Sequence, residues 1–277
     1  MITDASIWKA LHPQEKIEEE KPLQAVVQYP FPFQSKESHL TLLKEDGYCY
    51  LPALIRPDTV DRMLSCVEQM RARGLPPVYC FAYDLFWQLI LEIDPILREI
   101  LKGEYLVIPN VWTWVVEGGK EAAYFPPHRD LIDEDFIDEE GMPTLFSLWI
   151  PLTDVSTFNS CMYVLPASRD PEYPKEAATW RERWKQEGYR PWKVEDLVNI
   201  RALPAPKGSL LGWNAGLMHW GSKPHPKASS RISIGYYFHA PHAKKKHPGL
   251  IDLKQPLSLE RRMQVIFESL SLYGKSL

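Results

Sequence analysis

Segments with the pattern of short β-strands dominate the sequence between residues 104 and 240. Each is rich in β-branched and aromatic residues, and glycine, proline or asparagine separates one segment from the next. They are EYLVIPNVWTWVVEGG (104–119), LFSLWIPLTDV (145–155), CMYVLPAS (161–168), GSLLGWNAGLMHW (208–220) and RISIGYYFHA (231–240). Short strands with turns between them predict an antiparallel sandwich or barrel.

The segment RISIGYYFHA has two different faces, because successive side chains of a strand point to opposite sides. The apolar face, which suits packing against another layer, comprises Ile232, Ile234, Tyr236 and Phe238. The other face, which would look inward, comprises Arg231, Ser233, Gly235, Tyr237 and His239. An inward arginine is costly unless a carboxylate meets it. This carboxylate could belong to a dicarboxylate co-substrate or to an internal Asp or Glu, and the sequence leaves both possibilities open.

Predicted helices flank the strand region. A short helix precedes a strand around 48–51, an amphipathic helix runs over about 57–73, and apolar residues follow helical spacing over 83–101. Candidate site residues spread from 110 to 239, so we predict a single domain over 1–277. Within it we expect an N-terminal arm at 1–36, an insert that acts as a lid at 172–200, and a C-terminal helix at 257–277.

His128, Asp130 and His219 are the residue types of a 2-His-1-carboxylate site, which holds Fe(II) and leaves positions open for co-substrate and O₂. His128 and Asp130 are two residues apart, so on extended backbone their side chains point to the same side. Pro126 and Pro127 favour extended backbone just before them. If His219 joins the pair from a distant strand, the chain is an oxygenase.

Each of these residues also has an ordinary structural interpretation. An H-x-D tripeptide is common by chance, and a histidine within an apolar strand is more often a hydrogen-bonded core residue. The histidines near the Pro- and Lys-rich stretch 223–248 are expected to be exposed. They are His225, His239, His242 and His247.

Composition excludes several classes of function. The formal net charge of −4 gives no reason to expect nucleic-acid binding. No apolar stretch approaches the length of a membrane span, and the N-terminal segment lacks the features of a signal peptide. Four cysteines without a CxxC pair predict free thiols in a reducing cytosol. We therefore expect a cytoplasmic protein with neither a nucleic acid nor a membrane as partner.

Four stretches resemble the phytanoyl-CoA dioxygenase family of Fe(II)/2-oxoglutarate oxygenases, over residues 40–240. They are EDGYCYLPALIRPDTVDRM (45–63), PPHRD (126–130), LWIPLTDVSTFNSCMYVLPASRD (148–170) and PKGSLLGWNAGLMHWGS (206–222), the last followed by Arg231. The third is the most specific, because the family has a W-x-P-L-T-D strand there, followed by G-C and P-G-S. Ser160 and Ala167 stand where those glycines are usual.

The resemblance implies a mainly β fold with flanking helices, a double-stranded β-helix (a cupin-like jelly roll). It implies that His128, Asp130 and His219 bind Fe(II), and that Arg231 and Ser233 hold the distal carboxylate of 2-oxoglutarate. Asn110 is expected to point towards 2-oxoglutarate. The expected substrate-side walls are Trp112, Trp114 and Tyr124. O₂ is the other co-substrate, and ascorbate is the expected reductant in vitro.

The implied reaction is hydroxylation of an unactivated C–H bond of a small molecule, with release of succinate and CO₂. The same iron site could instead catalyse desaturation, epoxidation or cyclisation. A protein or peptide hydroxylase is a further alternative, which an open, charged groove would favour. The alternative outside catalysis is a jelly-roll binding protein whose histidines and aspartate are incidental. The sequence does not give the oligomeric state.

Overall fold

The computed structural model describes residues 4–32, 35–119, 126–130, 136–173, 197–243 and 247–273. Its strands are β1 (Tyr48–Leu51), β2 (Leu106–Val107), β3 (Trp112–Val116), β4 (Leu145–Pro151), β5 (Met162–Leu165), β6 (Arg201–Leu203), β7 (Leu210–Asn214), β8 (Met218–Gly221) and β9 (Arg231–His239). Its α-helices are α1 (Ala5–Leu11), α2 (Lys36–Asp46), α3 (Pro57–Ala72), α4 (Asp84–Glu92), α5 (Asp94–Ile100) and α6 (Leu259–Tyr273). Short 3-10 helices lie at Pro77–Ala82 and Ala167–Arg169.

The strands form two antiparallel sheets. The larger sheet has the order β1-β7-β4-β9-β2, and β3 also pairs with β9. The smaller sheet has the order β6-β5-β8. Side chains from both sheets line one cavity, among them Ser147 of β4 and Met162 of β5. The predicted mainly β architecture with flanking helices is therefore present, as a sandwich in which the described strands do not close into a barrel.

Strand β9 lies between β4 and β3 and separates the main core from the cavity. As the alternation predicted, Ile234 and Phe238 on one face are fully buried in the main core. Arg231 and Tyr237 on the other face line the cavity. His239 was predicted to be exposed, and this was wrong: only 2% of its surface is accessible. The reason is its position in β9, where it pairs with β2 on one side and β4 on the other.

The helices agree with the sequence patterns except at one break. Helix α3 begins at Pro57 and ends one residue before the predicted Arg73. The stretch 83–101 forms two helices instead of one, and the break is at Ile93. Pro95 in the first turn of α5 explains the break, because proline has no N–H to continue the hydrogen-bond ladder of α4.

The N-terminal segment and helix α6 meet at a buried ion pair, here called the Arg262 cluster (Glu18, Ala82, Asp84 and Arg262). The Arg262 guanidinium is fully buried and donates to Asp84 Oδ1 at 2.8 Å, to the Ala82 carbonyl at 2.9 Å and to the Glu18 carbonyl at 2.8 Å. The Glu18 N–H in turn donates to Asp84 Oδ1 at 2.9 Å. The predicted arm is thus joined to α6, and it buries Trp8 in the main core.

Two sequence predictions fall on residues that the structure does not describe. Tyr124 lies outside the described residues, and so does most of the 172–200 insert. Within the described part of the chain, no helix combines the length and the hydrophobicity that a bilayer crossing needs.

Candidate active site

The three predicted metal ligands come together at one end of the smaller sheet. His128 and His219 exchange two backbone hydrogen bonds of 3.0 Å, so the His-x-Asp segment extends this sheet beyond β8. Nε2 of each imidazole lies 3.5 Å from Oδ1 of Asp130. All three ligand atoms lie within 4.8 Å of one another. This donor set fits a divalent iron ion held by two imidazoles and one carboxylate.

Hydrogen bonds to the backbone fix which imidazole nitrogens face Asp130. Nδ1 of His128 lies 2.8 Å from the Pro126 carbonyl, and Nδ1 of His219 lies 3.1 Å from the Leu217 carbonyl. Because a carbonyl only accepts, each Nδ1 carries the proton and donates it. The lone pair of each Nε2 is therefore directed towards Asp130, as a metal ligand requires.

The protonation states also suit a metal. Burial lowers the pKa of His219 to about 4 although Asp130 opposes this shift, so the ring is neutral near pH 7. Burial alone would raise the pKa of Asp130, but His219 and His128, when protonated, and the Ser147 hydroxyl hold this pKa well below its ordinary value. A neutral imidazole and an ionised carboxylate are the forms that bind metal ions.

The larger sheet supplies two hydrogen-bond donors to the other oxygen of Asp130. Ser147 Oγ donates to Oδ2 at 2.6 Å, and Trp213 Nε1 donates to Oδ2 at 2.8 Å. Ser147 and Trp213 are direct partners in the pairing of β4 with β7. Sequence analysis missed both. Ser147 lies between the apolar residues Phe146 and Leu148, so a strand here places it on the opposite face, but nothing local connects it to Asp130.

Arg129, the middle residue of the His-x-Asp segment, anchors this segment to two other parts of the chain. Its guanidinium donates to Asp170 Oδ2 at 2.7 Å and to the Glu172 carbonyl at 3.0 Å, and it also bonds to the Gly216 carbonyl. The Arg129 and Asp170 side chains are only 1% and 2% exposed. A buried, hydrogen-bonded ion pair of this kind resists the loss of either partner.

Arg231 is a buried cation in the same cavity as the three ligands. Its guanidinium donates to the Ser160 carbonyl at 2.9 Å and lies 5.6 Å from the centre of the Trp149 ring. Among the described residues it forms no ion pair, and its Nε has no hydrogen-bond partner. Burial lowers its pKa to about 10, with the Cys161 thiol opposing the shift, so it stays protonated at neutral pH. Gly221 leaves room for it, since a Cβ there would lie 3.0 Å from the guanidinium.

These features fit a dicarboxylate that lies between the metal ligands and Arg231. The cavity has a volume of about 200 Å³. Ser233, two residues along β9 on the same face as Arg231, is fully buried, and its Oγ has no partner among the described residues. An arginine fork without an ion pair and a hydroxyl without a hydrogen-bond partner, both among the described residues, are suited to bind a carboxylate group. The internal Asp or Glu partner that the sequence left open for Arg231 is not found in the described structure.

The remaining predicted residues occupy different places. Trp114 lines the cavity and lies over Gly235, where a Cβ would come within 2.6 Å of its ring. Trp112 is buried against Tyr273 of α6, with ring centres 4.9 Å apart, and Asn110 Nδ2 donates to the Tyr273 hydroxyl at 2.9 Å. Asn110 and Trp112 thus lie behind Tyr273, which itself lines the cavity with Tyr237. Sequence analysis did not single out Tyr273, because only the packing of α6 brings it there.

A second group of ligand-type residues comprises His12, Glu15 and Cys66, all buried. Both carboxylate oxygens of Glu15 are paired with Arg62, at 3.1 and 2.8 Å. A guanidinium in this position repels a metal cation. We therefore interpret this group as a structural ion pair.

Comparison with known proteins gives a family and a fold. The family model of phytanoyl-CoA dioxygenase (PhyH) matches residues 81–232. No curated protein matches the sequence. Among solved structures, AviO1 from Streptomyces viridochromogenes Tue57 is 17% identical with a TM-score of 0.53, covering 76% of this chain and 97% of its own.

Two further solved structures hold ligands of the expected kind. The epimerase SnoN, in complex with Fe³⁺, α-ketoglutarate and nogalamycin RO, is 15% identical with a TM-score of 0.56 and covers 77% of this chain and 86% of its own. HygX from Streptomyces hygroscopicus, with nickel and 2-oxoglutarate bound, is 13% identical with a TM-score of 0.57 and covers 78% of this chain and 95% of its own. At these identities the similarity shows the fold, and the predicted jelly roll is confirmed.

Proposed function

The chain belongs to the phytanoyl-CoA dioxygenase family, and from this premise we propose that it hydroxylates an unactivated C–H bond of a small molecule. Its family makes it an oxygenase that uses Fe(II), 2-oxoglutarate and O₂ rather than a non-catalytic binding protein. One observation carries the proposal. Two Nε2 atoms and one carboxylate oxygen converge in a cavity that also holds a buried arginine without an ion-pair partner among the described residues.

Different residues would bind the metal and the co-substrate. His128, Asp130 and His219 would hold the iron, and Arg231 with Ser233 would bind the far carboxylate of 2-oxoglutarate. When bound, iron, 2-oxoglutarate and O₂ supply an oxidant strong enough to attack an unactivated C–H bond, with succinate and CO₂ as co-products.

The cavity walls would bind the substrate and keep water away from it. Trp114, Met162, Tyr237 and Tyr273 give the described lining a largely apolar and aromatic character. Such a wall suits a small molecule better than an extended peptide, which would need an open groove with many polar contacts. In this proposal Asn110 and Trp112 support Tyr273 from behind instead of touching the co-substrate.

A second candidate keeps the iron site and changes the outcome to desaturation, epoxidation or cyclisation. The structural neighbour SnoN favours keeping it, because that protein is an α-ketoglutarate-dependent epimerase with a TM-score of 0.56. Mass spectrometry of the product separates hydroxylation from desaturation and cyclisation, and NMR separates an alcohol from an epoxide, because both of these gain one oxygen atom. Hydroxylation adds one oxygen atom to the substrate, whereas desaturation and cyclisation remove two hydrogen atoms.

The test of the reaction class is succinate formation by the purified protein under air with Fe(II), 2-oxoglutarate and ascorbate. We expect slow uncoupled turnover, and we expect Asp130→Ala to abolish it because the carboxylate of the proposed ligand set is lost while the fold is kept. Asp61→Ala is the matched control, since this carboxylate lies at the surface and is 57% exposed. Full succinate formation by Asp130→Ala would refute the metal assignment.

If turnover is tightly coupled, the protein forms no succinate in the absence of its primary substrate. In that case an anaerobic titration with Fe(II) and 2-oxoglutarate tests the site directly. We expect an absorption band from the metal–keto-acid complex in the unmodified protein and in Asp61→Ala, but not in Asp130→Ala. The same absence of a band in all three proteins would contradict the proposed function.

A further inference from the structure

The two carboxylate oxygens of Asp130 have different surroundings. Oδ1 lies 3.5 Å from Nε2 of His128 and 3.5 Å from Nε2 of His219. Oδ2 accepts hydrogen bonds from Ser147 Oγ at 2.6 Å and from Trp213 Nε1 at 2.8 Å. A carboxylate has about four lone-pair sites over its two oxygens, so two donors saturate Oδ2. The oxygen that remains for a metal is Oδ1.

The donors and the imidazoles belong to different sheets. Ser147 and Trp213 are opposite each other on β4 and β7 of the larger sheet. His219 lies on β8 of the smaller sheet, and His128 pairs with it. The Trp213 ring also contacts the His219 ring, with centres 4.4 Å apart. Asp130 is thus oriented by one sheet while the imidazoles are aligned on the other.

We propose that Ser147 and Trp213 are positioning residues that make Asp130 a one-oxygen ligand. The inference rests on the metal site of the proposed function. A carboxylate free to rotate could bind the metal through both oxygens and occupy a position that the 2-His-1-carboxylate arrangement leaves open for co-substrate and O₂. With both donors in place, Oδ2 stays engaged with the protein and that position stays open.

The position of the donors also gives them a measurable effect on metal affinity. Removing a hydrogen-bond partner of a metal ligand typically weakens metal binding about 10- to 100-fold. Ser147→Ala removes only the hydroxyl, and Trp213→Phe keeps an aromatic ring against His219 while removing the N–H. Ser147→Thr keeps the hydroxyl and is the conservative rescue. These three variants separate the hydrogen bond from the packing.

Trp220→Phe is the matched control for the tryptophan. Trp220 follows His219 on β8, but its ring stacks on Tyr163 with centres 5.8 Å apart, and it does not line the cavity. The replacement removes an indole N–H one residue from a metal ligand without touching Asp130. We expect it to bind metal like the unmodified protein.

The experiment measures Mn(II) binding by calorimetry under anaerobic conditions and the visible spectrum of the Co(II) form, which reports coordination number. We expect Ser147→Ala and Trp213→Phe to bind Mn(II) about 10-fold or more weakly. Their Co(II) spectra should shift towards higher coordination. Ser147→Thr should restore both properties, and circular dichroism checks that each variant is folded.

The outcomes separate this inference from the proposed function. If Ser147→Ala binds Mn(II) as tightly as the unmodified protein and gives the same Co(II) spectrum, the positioning role is wrong. If Trp213→Phe does not fold, Ser147→Ala and Ser147→Thr decide the matter alone. If the unmodified protein binds no Mn(II), the metal site itself is overturned.

Discussion

Arg231 is a buried cation of the cavity, and it is held by the carbonyl and hydroxyl of Ser160 and by the Trp149 ring. A buried guanidinium is stable only when its charge is matched, and the described residues do not match it. The carboxylate of the co-substrate would therefore neutralise the buried charge of Arg231, and the co-substrate would also take part in the reaction. Loss of Arg231 should weaken the binding of 2-oxoglutarate more than the binding of the metal.

We expect Arg231→Ala to raise the dissociation constant of 2-oxoglutarate about 10- to 100-fold, since a hydrogen bond to a charged group contributes about 1.5–3 kcal/mol. Arg231→Lys should fall between, because an ammonium group lacks the planar fork that pairs with a carboxylate. Anaerobic titration of the Fe(II) protein with 2-oxoglutarate gives the constants. Arg201→Ala, an exposed arginine on β6, is the control. An unchanged constant in Arg231→Ala would show that the residue serves the structure alone.

The residues that could be predicted from sequence are those whose chemistry or alternation identifies them. His128, Asp130 and His219 are ligand types, and the inward direction of Arg231 follows from the alternation of β9. Ser147, Trp213 and Tyr273 could not be predicted in the same way. Their roles depend on the register of β4 with β7 and on where α6 packs, and neither is encoded within a few residues of the side chain concerned.

At the scale of single elements, β7 shows how closely the strands of the larger sheet pack. Gly212 lies in the middle of β7, and a Cβ at this position would overlap the ring of Phe146 from β4. Phe146 is buried in the main core. The glycine therefore allows β7 and β4 to pack closely. This packing holds β7 in the position from which Trp213 donates to Asp130.

We expect Gly212→Ala to lower the free energy of unfolding by about 1–3 kcal/mol, the usual cost of overpacking a core. Phe146→Leu removes the overlapping ring, so the double variant should be more stable than the sum of the two single changes predicts. Urea unfolding of the four proteins measures the coupling. Purely additive effects would mean that the Phe146 ring does not cause the destabilisation.

The elements that the sequence did not predict are short or interrupted. Strand β6 has three residues, and Arg201 and Ala202 in it are exposed, so it carries no apolar alternation. The division between α4 and α5 depends on a single proline within a stretch whose apolar residues follow one helical pattern. The long strands β4 and β9 were predicted because their alternation extends over seven and nine residues.

For the molecule as a whole, the buried histidine predicts acid sensitivity. Burial lowers the folded-state pKa of His219 to about 4, below the ordinary histidine value of 6.5. Between these two values the unfolded chain binds more protons than the folded one, so stability falls as pH falls. The lowered pKa of Asp130 acts in the same direction at still lower pH, although burial by itself would raise it.

We expect the metal-free protein to lose stability on acidification from pH 6.5 towards pH 4, by an amount of the order of 3 kcal/mol from His219. Urea unfolding at a series of pH values gives the slope. His219→Asn should flatten it, because the titrating group is removed. A stability that stays constant or rises over this range would contradict the assigned neutral, buried imidazole.

The extent of the domain and the cellular location remain predictions. The cavity draws residues from Trp114 to Tyr273, which favours one domain over 1–277. A cytoplasmic location rests on composition alone.

The Arg262 cluster joins the N-terminal segment at Glu18, the 3-10 helix before α4 at Ala82, and helix α6. Tension applied to the chain from the arm side would therefore meet Trp8 and then this buried guanidinium before it reaches either sheet. An unfoldase that pulls from this side must first draw the arm out of the core and break the bond between the Glu18 carbonyl and Arg262. Until it does, the strands that carry the candidate iron ligands stay out of the path of the force.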